Sequence, residues 1–368
     1  MVLLVLSIFL LAFGVSAGFT SVVRYLAVRL DFAAHPRADR YHQSAVALGG
    51  GIAIFGTLLV FLVAALLFVQ FGASQISRFF PFVEPYLNGF LSKRHELLLV
   101  IGCTLVLHLA GLWDDVKGLG PFSKLTVQVL VSAAAAGLAD VRLEFFIQNR
   151  LITLILSVLW MVLLINAFNF LDNMDGVSAG IAAIVAAVLL TAAIRSGQVF
   201  IGGLAVILLG SLLGFLLFNF PPASIFMGDA GSLVIGFLIS VLSLRTTYYD
   251  PALELPLSAV FMPLVVMAVP LYDFISVVFL RLRQGKRPWI GDTQHFSHRL
   301  RRRGLSDRQV ALTLYLTTLC TSAGAVVLQK TDWFGAVLIF LQTLMVLGII
   351  AVLESSGQMN PPSSREPK

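Results

Sequence analysis

Residues 151–176 read LITLILSVLWMVLLINAFNFLDNMDG, and this stretch decides the fold because an apolar run ends in a row of polar side chains. The run has about the length that a helix needs to cross a bilayer, roughly 17 to 25 residues. A helix also pairs its own backbone polar groups, as lipid requires. Four oxygen-bearing side chains follow at steps of three: Asn166, Asn169, Asp172 and Asp175. If the helix continues that far, they share one face, so the stretch predicts a membrane span with a chemically active end.

The rest of the chain repeats the apolar part of this pattern. Hydrophobic residues make up 58% of the 368 residues, and charged residues only 12%. A soluble domain carries about 25% charged residues, so a soluble enzyme is excluded. We predict an all-α membrane protein with about eleven transmembrane helices. They are expected at residues 2–23, 46–71, 96–113, 122–139, 151–168, 178–194, 199–219, 230–246, 257–280, 309–328 and 333–353.

The domain organisation follows from the same pattern. We expect residues 1–353 to form a single polytopic membrane catalytic domain, because no soluble domain, internal repeat or long linker interrupts the spans. Residues 354–368 are polar and rich in proline and serine, which predicts a disordered cytoplasmic tail.

Lysine and arginine residues are unevenly distributed between the two sides of the predicted bundle. With eleven spans, the odd-numbered loops share one side with the C-terminus, and together they hold 17 of the 25 basic residues. Basic residues favour the cytoplasmic side, so we expect the N-terminus outside and the C-terminus in the cytoplasm. The polar clusters described next all lie on that side or at the helix ends beside it. The sequence therefore predicts one cytoplasmic site at the membrane surface.

Carboxylates dominate the first two clusters. Asp114 and Asp115 end the third span, and Lys124 lies just inside the fourth. Adjacent carboxylates need a cation or a proton to relieve their repulsion, and hard cations such as Mg²⁺ take oxygen ligands. A solvated loop entrance is the alternative explanation for this pair. The second cluster, from Asn166 to Asp175, is the most specific signal, because aligned oxygen ligands have no structural use against lipid. A polar helix end is the alternative explanation.

The third cluster, FMGDAGS at residues 226–232, places Asp229 at the start of the eighth span. A helix N-terminus favours anions such as phosphate, and the flanking glycines allow close approach. Phe226 could stack on a base, and Asn219 could hydrogen-bond the base. A simple N-cap is the alternative for Asp229, and core packing is the alternative for Phe226.

Two basic segments complete the site. The loop over residues 281–308 carries His295, His298 and Arg299, whose spacing suits a diphosphate or a lipid phosphate. Attraction to anionic lipid explains the basic run from Arg301 to Arg303. A zinc site at His295 and His298 is the other alternative, but it would lack a third ligand at clear spacing. Arg40 and His42 precede a run of glycines and could contact substrate, although a positively charged flank explains them equally well. Asp273 is expected to face the bundle, with Arg281 or Lys124 as its partner.

These motifs resemble those of the polyprenyl-phosphate N-acetylhexosamine-1-phosphate transferases. They run in the order of that family over about residues 31–300. The matching pieces are Pro36 with Arg40-Tyr41-His42 and Gly49-Gly50, Gly111-Leu-Trp-Asp114-Asp115, Asn166 to Gly176, Phe226 to Ser232, Pro270-Leu-Tyr-Asp273 and His295-Phe-Ser-His298-Arg299-Leu300.

The resemblance and the residue chemistry described above together give each group of residues an expected role. Asp229 and Asn169 are expected to hold Mg²⁺, with Mn²⁺ as an alternative. The expected catalytic residues are Asp114, Asp115, Asp172 and Lys124. The expected substrate-binding residues are Arg40, His42, Asn166, Asp175, Asn219, Phe226, His295, His298 and Arg299. Of these, Asp175 and Phe226 match the part of the family site that contacts the nucleotide base.

The implied reaction moves a sugar 1-phosphate from a UDP-sugar to undecaprenyl phosphate within the lipid bilayer and releases UMP. It would begin cell-envelope polysaccharide synthesis at the bacterial inner (plasma) membrane, with no nucleic acid as partner and a homodimer left open. GlcNAc-1-phosphate is the first expectation. Another UDP-N-acetylhexosamine or UDP-MurNAc-pentapeptide is the alternative, and Ser297, where the family has histidine, argues against the latter. A membrane transporter is the alternative outside the enzyme class.

Overall fold

The computed structural model describes residues 2–34, 46–79, 89, 92–143, 147–289 and 294–355. Thirteen helices and three short strands are present in this part of the chain. In chain order they are α1 Val2–Arg29, β1 Ala33–Ala34, β2 Val46–Leu48, α2 Gly50–Phe79, α3 Arg94–Lys117, α4 Pro121–Leu138, α5 Arg150–Leu171, α6 Val177–Arg195, α7 Val199–Asn219, β3 Ile225–Phe226, α8 Asp229–Arg245, α9 Met262–Val266, α10 Ala268–Arg283, α11 Phe296–Arg302, α12 Asp307–Leu328 and α13 Trp333–Ser355.

The prediction of an all-α polytopic membrane protein is confirmed. Within the described residues, nine helices are long and apolar enough to cross a membrane, and a bent pair raises the number to ten. Each of the eleven predicted spans contains helix. The predicted span at 230–246 is not among these ten. It corresponds to α8, which has only 17 residues and is too short to be counted.

The ninth predicted span, 257–280, was wrong as a single helix. A 3₁₀ turn at Leu257–Phe261 leads into α9, and α10 follows at an angle of 56°. Pro270 explains the break, because it has no N–H for the carbonyl of Val266 and its ring crowds that carbonyl. The side chains around the break, from Val265 to Val269, are apolar and buried.

Helix α8 lies at the centre of the bundle. Every residue from Ala230 to Leu244 is buried, which explains why its sequence is apolar on all sides rather than on one face. Small residues allow neighbouring helices to approach it closely. A Cβ added at Gly236 would lie 2.6 Å from the Cα of Ile165 in α5, and one at Gly111 in α3 would lie 2.4 Å from the carbonyl oxygen of Asp229. The first turn of α8 is therefore fixed by backbone contacts.

A small sheet lies beside this first turn. β1 pairs antiparallel with β2, and β2 pairs parallel with β3, where Leu48 lies opposite Phe226. The pairing joins the segment before α2 to the segment before α8. The apolar pattern does not predict these strands, since they are only two or three residues long.

The last helix extends beyond the predicted domain boundary. α13 ends at Ser355, so Glu354 and Ser355, which we assigned to the tail, belong to a helix. Residues 356–368 lie outside the described part of the chain.

Candidate functional site

Four helix ends meet around the ammonium group of Lys124. Lys124 belongs to the first turn of α4, and its Nζ forms an ion pair with Asp229 at the start of α8. The same nitrogen lies 3.0 Å from Asp114 Oδ2 at the end of α3 and 3.3 Å from Asn169 Oδ1 at the end of α5. Two carboxylates and an amide oxygen thus converge on one cation. The structure thus brings together residues from three sequence motifs that are spread between Asp114 and Asp229.

Asn169 also fixes the orientation of Asp229. Its Nδ2 donates to Asp229 Oδ1 and to Ser232 Oγ, both at 2.8 Å. Ser232 lies one turn after Asp229 on the same face of α8, where residues three apart are neighbours. It is fully buried, and the sequence reasoning did not assign it to the site. The spacing of Asp229 and Ser232 was the available signal.

Asp115 has a different environment from its neighbour Asp114. Its carboxylate accepts hydrogen bonds from the backbone N–H groups of Asp229, at 2.8 Å, and Ala230, at 3.1 Å. It therefore caps the N-terminus of α8 from outside, which satisfies N–H groups that have no partner within the helix. A Cβ at Gly228 would lie 2.5 Å from Asp115 Oδ2, so only glycine leaves room for this contact. The geometry gives Asp115 the task of fixing Asp229 in place.

The oxygen atoms around Lys124 fit a hard divalent cation. Carboxylate and amide oxygens are the ligands that Mg²⁺ takes, and it is typically held by one or two carboxylates together with substrate phosphates. Among the described residues, no group of three or more His, Cys, Asp or Glu side chains is placed to hold a metal on its own. Asp229 and Asn169, the two residues expected to bind the metal, could therefore provide part of a ligand set for such a cation.

Only two of the four polar side chains that recur at steps of three between Asn166 and Asp175 lie on α5. α5 ends at Leu171, with Asp172 as its C-cap, and α6 begins after Gly176 at φ 71°. The expectation that one helix face carries all four side chains is therefore wrong for Asp172 and Asp175. Asn166 lies on α5 and donates to Gln128 Oε1 at 2.6 Å, so its amide turns towards α4.

A second cluster of polar side chains joins two loops near Lys124. Asn219 accepts from the backbone N–H of Gly176 at 3.0 Å and donates to the carbonyl of Ile225 at 2.9 Å. Asp175 accepts from the N–H of Ala223 at 2.8 Å. The loops after α5 and α7 are thereby joined next to Phe226, which is half-buried in β3. The structure uses both polar atoms of the Asn219 side chain within the protein.

Replacing Asn219 with alanine is expected to destabilise the protein by about 1–3 kcal/mol, because two buried backbone groups lose their partner. The measurement is thermal unfolding in detergent. The exposed Gln284→Ala is the matched control and is expected to leave the midpoint unchanged. Equal unfolding midpoints for both variants would contradict the conclusion that Asn219 stabilises the loops after α5 and α7.

Helix α11 is anchored by a buried aspartate. Asp273 in α10 is fully buried and accepts from the backbone N–H of Phe296 at 2.7 Å, while its second oxygen lies 3.0 Å from His295 Nδ1. The expectation that Arg281 or Lys124 pairs with Asp273 was wrong, because His295 and the start of α11 provide the partners. The His295 ring also meets Phe170 of α5 edge to face, at 5.4 Å between ring centroids. These contacts hold α11 against the end of α5.

Ser297 makes a second link to α5. Its hydroxyl donates to Asn173 Oδ1, in the turn that follows Asp172. Ser297, which departs from the family pattern, is thus buried where α11 contacts the turn after α5. Arg299 is held from two sides, by Ser276 Oγ at 2.8 Å and by Glu354 at 3.2 Å. Arg40 and His42 lie outside the described residues.

His298 is held in its neutral form. Burial is the largest cause that lowers the pKa of His298, from 6.5 to about 4, and the nearby His295 ring and the positive charges of Arg301 and Arg302 lower it further. At neutral pH its ring therefore serves as a hydrogen-bonding group rather than as a cation. Its expected contact to phosphate is accordingly a neutral hydrogen bond.

The free energy of unfolding is expected to fall as the pH drops from 6.5 to 4, because the unfolded state then binds a proton at His298 that the folded state rejects. In His298→Gln this part of the pH dependence should disappear, a change of at most about 1.4 kcal/mol per pH unit. Unfolding in detergent between pH 4 and 7 measures it, with the exposed His95→Gln as control. Identical pH profiles for wild type and His298→Gln would refute the neutral state.

Comparison with known proteins identifies one family profile and several bacterial relatives. Residues 97–247 match the family described as Glycosyl transferase family 4. The probable undecaprenyl-phosphate N-acetylglucosaminyl 1-phosphate transferase of Bacillus subtilis (strain 168) is 28% identical over 352 residues, which cover 93% of this chain and 89% of that protein. The decaprenyl-phosphate N-acetylglucosaminephosphotransferase of Mycolicibacterium smegmatis is 27% identical over 376 residues, covering 95% and 87%. The undecaprenyl-phosphate alpha-N-acetylglucosaminyl 1-phosphate transferase of Yersinia pestis is 26% identical over 316 residues, covering 82% and 78%.

Proposed function

Because the chain belongs, through residues 97–247, to glycosyl transferase family 4, we propose that it transfers N-acetylglucosamine 1-phosphate from UDP-GlcNAc to undecaprenyl phosphate and releases UMP. The names of the bacterial relatives support the sugar phosphate and the polyprenyl phosphate as substrates. The observation that carries the proposal is the convergence of Asp114, Asn169 and Asp229 on one cation at the meeting point of four helix ends.

The chemistry of the reaction matches this arrangement. An oxygen of the lipid phosphate attacks the β-phosphorus of the UDP-sugar, and the bond from that phosphorus to the bridging oxygen breaks, so UMP leaves with the electron pair. The bond between the sugar C1 and its oxygen is untouched, and the sugar keeps its configuration. Such transfers depend on positioning and on neutralising negative charge. Lys124 provides a positive charge at the junction of the four helices.

The aspartates divide into two groups in this proposal. Asp115 is occupied with the N–H groups of α8, so Asp114 and Asp172 are the candidates to orient or deprotonate the lipid phosphate. Asp229 and the Oδ1 atom of Asn169 would hold Mg²⁺, or Mn²⁺ in its place. The metal would supply positive charge to the diphosphate. His298 and Arg299 on α11 would contact the sugar diphosphate from the other side.

The orientation in the membrane rests on charge. The end of the bundle with Lys124 also carries the basic loop between α10 and α12. The opposite end, where α3 starts and α8 ends, has balanced ion pairs, such as Arg245 with Glu96 at 3.1 Å. We therefore place the site on the cytoplasmic face of the bacterial inner membrane. A homodimer is also compatible with the proposal.

The broken span does not favour a transporter. Transporters use helix breaks near the midplane to bind ions or charged substrates, so ionisable groups lie close to them. Here the residues from Val265 to Val269 are apolar and buried, and Asp273, which follows Pro270 on α10, is already bound to His295 and to the backbone N–H of Phe296. The described carboxylates of the site lie at helix ends instead.

The deciding experiment uses purified protein in detergent with undecaprenyl phosphate, Mg²⁺ and a panel of UDP-sugars. Release of UMP and formation of a lipid-linked sugar diphosphate are measured, with EDTA as the metal control. We expect metal-dependent release with UDP-GlcNAc. Release with another UDP-sugar alone would correct the donor, and no release from folded protein with any donor would refute the proposed function.

A further inference from the structure

The last helix of the chain reaches the segment that carries Arg299. Glu354, at the end of α13, lies with its Oε2 3.2 Å from Arg299 Nη2 and accepts a hydrogen bond from the Tyr272 hydroxyl at 3.1 Å. The guanidinium of Arg303 donates to the backbone carbonyl of Glu354. Arg299 Nη2 also donates a hydrogen bond to Ser276 Oγ of α10, at 2.8 Å. Three helices, α10, α11 and α13, therefore meet at one guanidinium group.

The C-terminal end of α13 is an unfavourable position for a glutamate without a specific role. The C-terminal end of a helix carries partial negative charge, so a carboxylate there is destabilising, whereas lysine and arginine are favoured. The side chain of Glu354 is also 6% exposed, and that of Arg299 is 12% exposed. Burying both charges costs more free energy than a surface pair, and such pairs are weak evidence for a purely stabilising role.

A cavity beside the pair separates parts of α10 and α13. It has a volume of about 450 Å³, and its lining includes Tyr272 and Ser276, which are the α10 partners of Glu354 and Arg299. The polar contacts themselves connect the end of α13 to α11.

The pair uses only part of its hydrogen-bonding capacity. Arg299 Nε and Glu354 Oε1 are buried and have no hydrogen-bond partner among the described residues. One nitrogen of the guanidinium thus makes both contacts, and the parallel two-bond arrangement that Arg and carboxylates often adopt is not formed. Within the described part of the chain, the pair therefore leaves one donor of Arg299 and one acceptor of Glu354 unsatisfied, which is uncommon for buried polar atoms.

We propose that Glu354 is a positioning residue that holds Arg299 in the orientation in which it binds the sugar diphosphate. The inference rests on the proposed function, because it takes Arg299 as a substrate contact. It goes beyond that function by giving the C-terminal helix a part in donor binding. Glu354 itself touches neither the substrate nor the central cluster around Lys124.

Steady-state kinetics with UDP-GlcNAc test the proposal. In Glu354→Gln the KM for the donor is expected to rise about 10-fold while kcat stays within about 2-fold, since a contact that acts on substrate binding alone changes KM. Asp332→Asn is the matched control at the other end of α13, where Asp332 caps the helix through the N–H of Gly335. It is expected to leave both constants unchanged.

A double substitution separates positioning from a general structural effect. If Glu354 acts through Arg299, Glu354→Gln should add less than about 2-fold to the KM of Arg299→Lys, because coupled residues are not additive. The same 10-fold increase in both backgrounds would overturn the proposal, as would an unchanged KM in Glu354→Gln.

Hydrogen exchange of the backbone provides a readout that does not depend on turnover. Residues 296–302 should exchange faster in Glu354→Gln than in wild type or Asp332→Asn, because the side chain that anchors Arg299 is weakened. Unchanged exchange would overturn the proposal even in an inactive protein. An inactive wild type with faster exchange in Glu354→Gln would count against the proposed function and leave the link between Glu354 and α11 supported.

Discussion

Replacing Asp229 with asparagine is expected to lower kcat/KM about 1,000-fold, the size of effect that follows when one group that stabilises the transition state is removed. Asparagine has the same shape, so the contact to Asn169 and the start of α8 can persist. The charge that pairs with Lys124, and that would hold Mg²⁺, is lost. Release of UMP from UDP-GlcNAc in detergent is the measurement.

Asp140→Asn is the matched control for this prediction. Asp140 pairs with Arg142 at the other end of the bundle and is expected to have no effect on turnover. Both variants should insert and unfold like wild type. Activity within a few-fold of wild type in Asp229→Asn would remove Asp229 from the catalytic centre.

Replacing Lys124 with methionine is expected to lower kcat about 100-fold, with a second effect on metal binding. The variant leaves Asp114, Asn169 and Asp229 without the cation on which they converge. A ligand that binds only the folded state stabilises it, so Mg²⁺ should raise the unfolding temperature of Lys124→Met more than that of wild type. Thermal unfolding with and without Mg²⁺ measures this.

The exposed Lys330→Met is the control for the loss of a positive charge as such. It should behave like wild type in both assays. If Mg²⁺ shifts wild type and Lys124→Met equally, the oxygen atoms around Lys124 are not the metal site. If kcat is unchanged, the ammonium group is dispensable for transfer.

The spans could be predicted because the bilayer imposes a simple length rule on apolar segments. The break between α9 and α10 also had a signal, since prolines at 263 and 270 fall inside an apolar block. The sheet had none. Two- and three-residue strands carry no periodic pattern, and they pair segments almost 180 residues apart.

The sequence predicted which residues form the central site, but not which contacts each of them makes. Asp114 and Asp115 look equivalent in the sequence. On a helix, however, adjacent side chains point about 100° apart, so one faces Lys124 and the other faces the N-terminus of α8. The partners of Asp273 and Arg299 depend on how α10, α11 and α13 pack, which no local pattern encodes. Glu354 lay in a segment that composition assigned to a tail.

The burial of α8 has a consequence for the membrane around the protein. When bilayer thickness changes, helices in contact with lipid adapt by tilting or by thinning the bilayer near them. α8 is surrounded by protein from Ala230 to Leu244, so this adjustment acts on the outer helices and not on α8 directly. Its first turn is held by Asp115 and Asn169 from neighbouring helices. We therefore expect the position of Asp229 to change less with bilayer thickness than the positions of the outer helices.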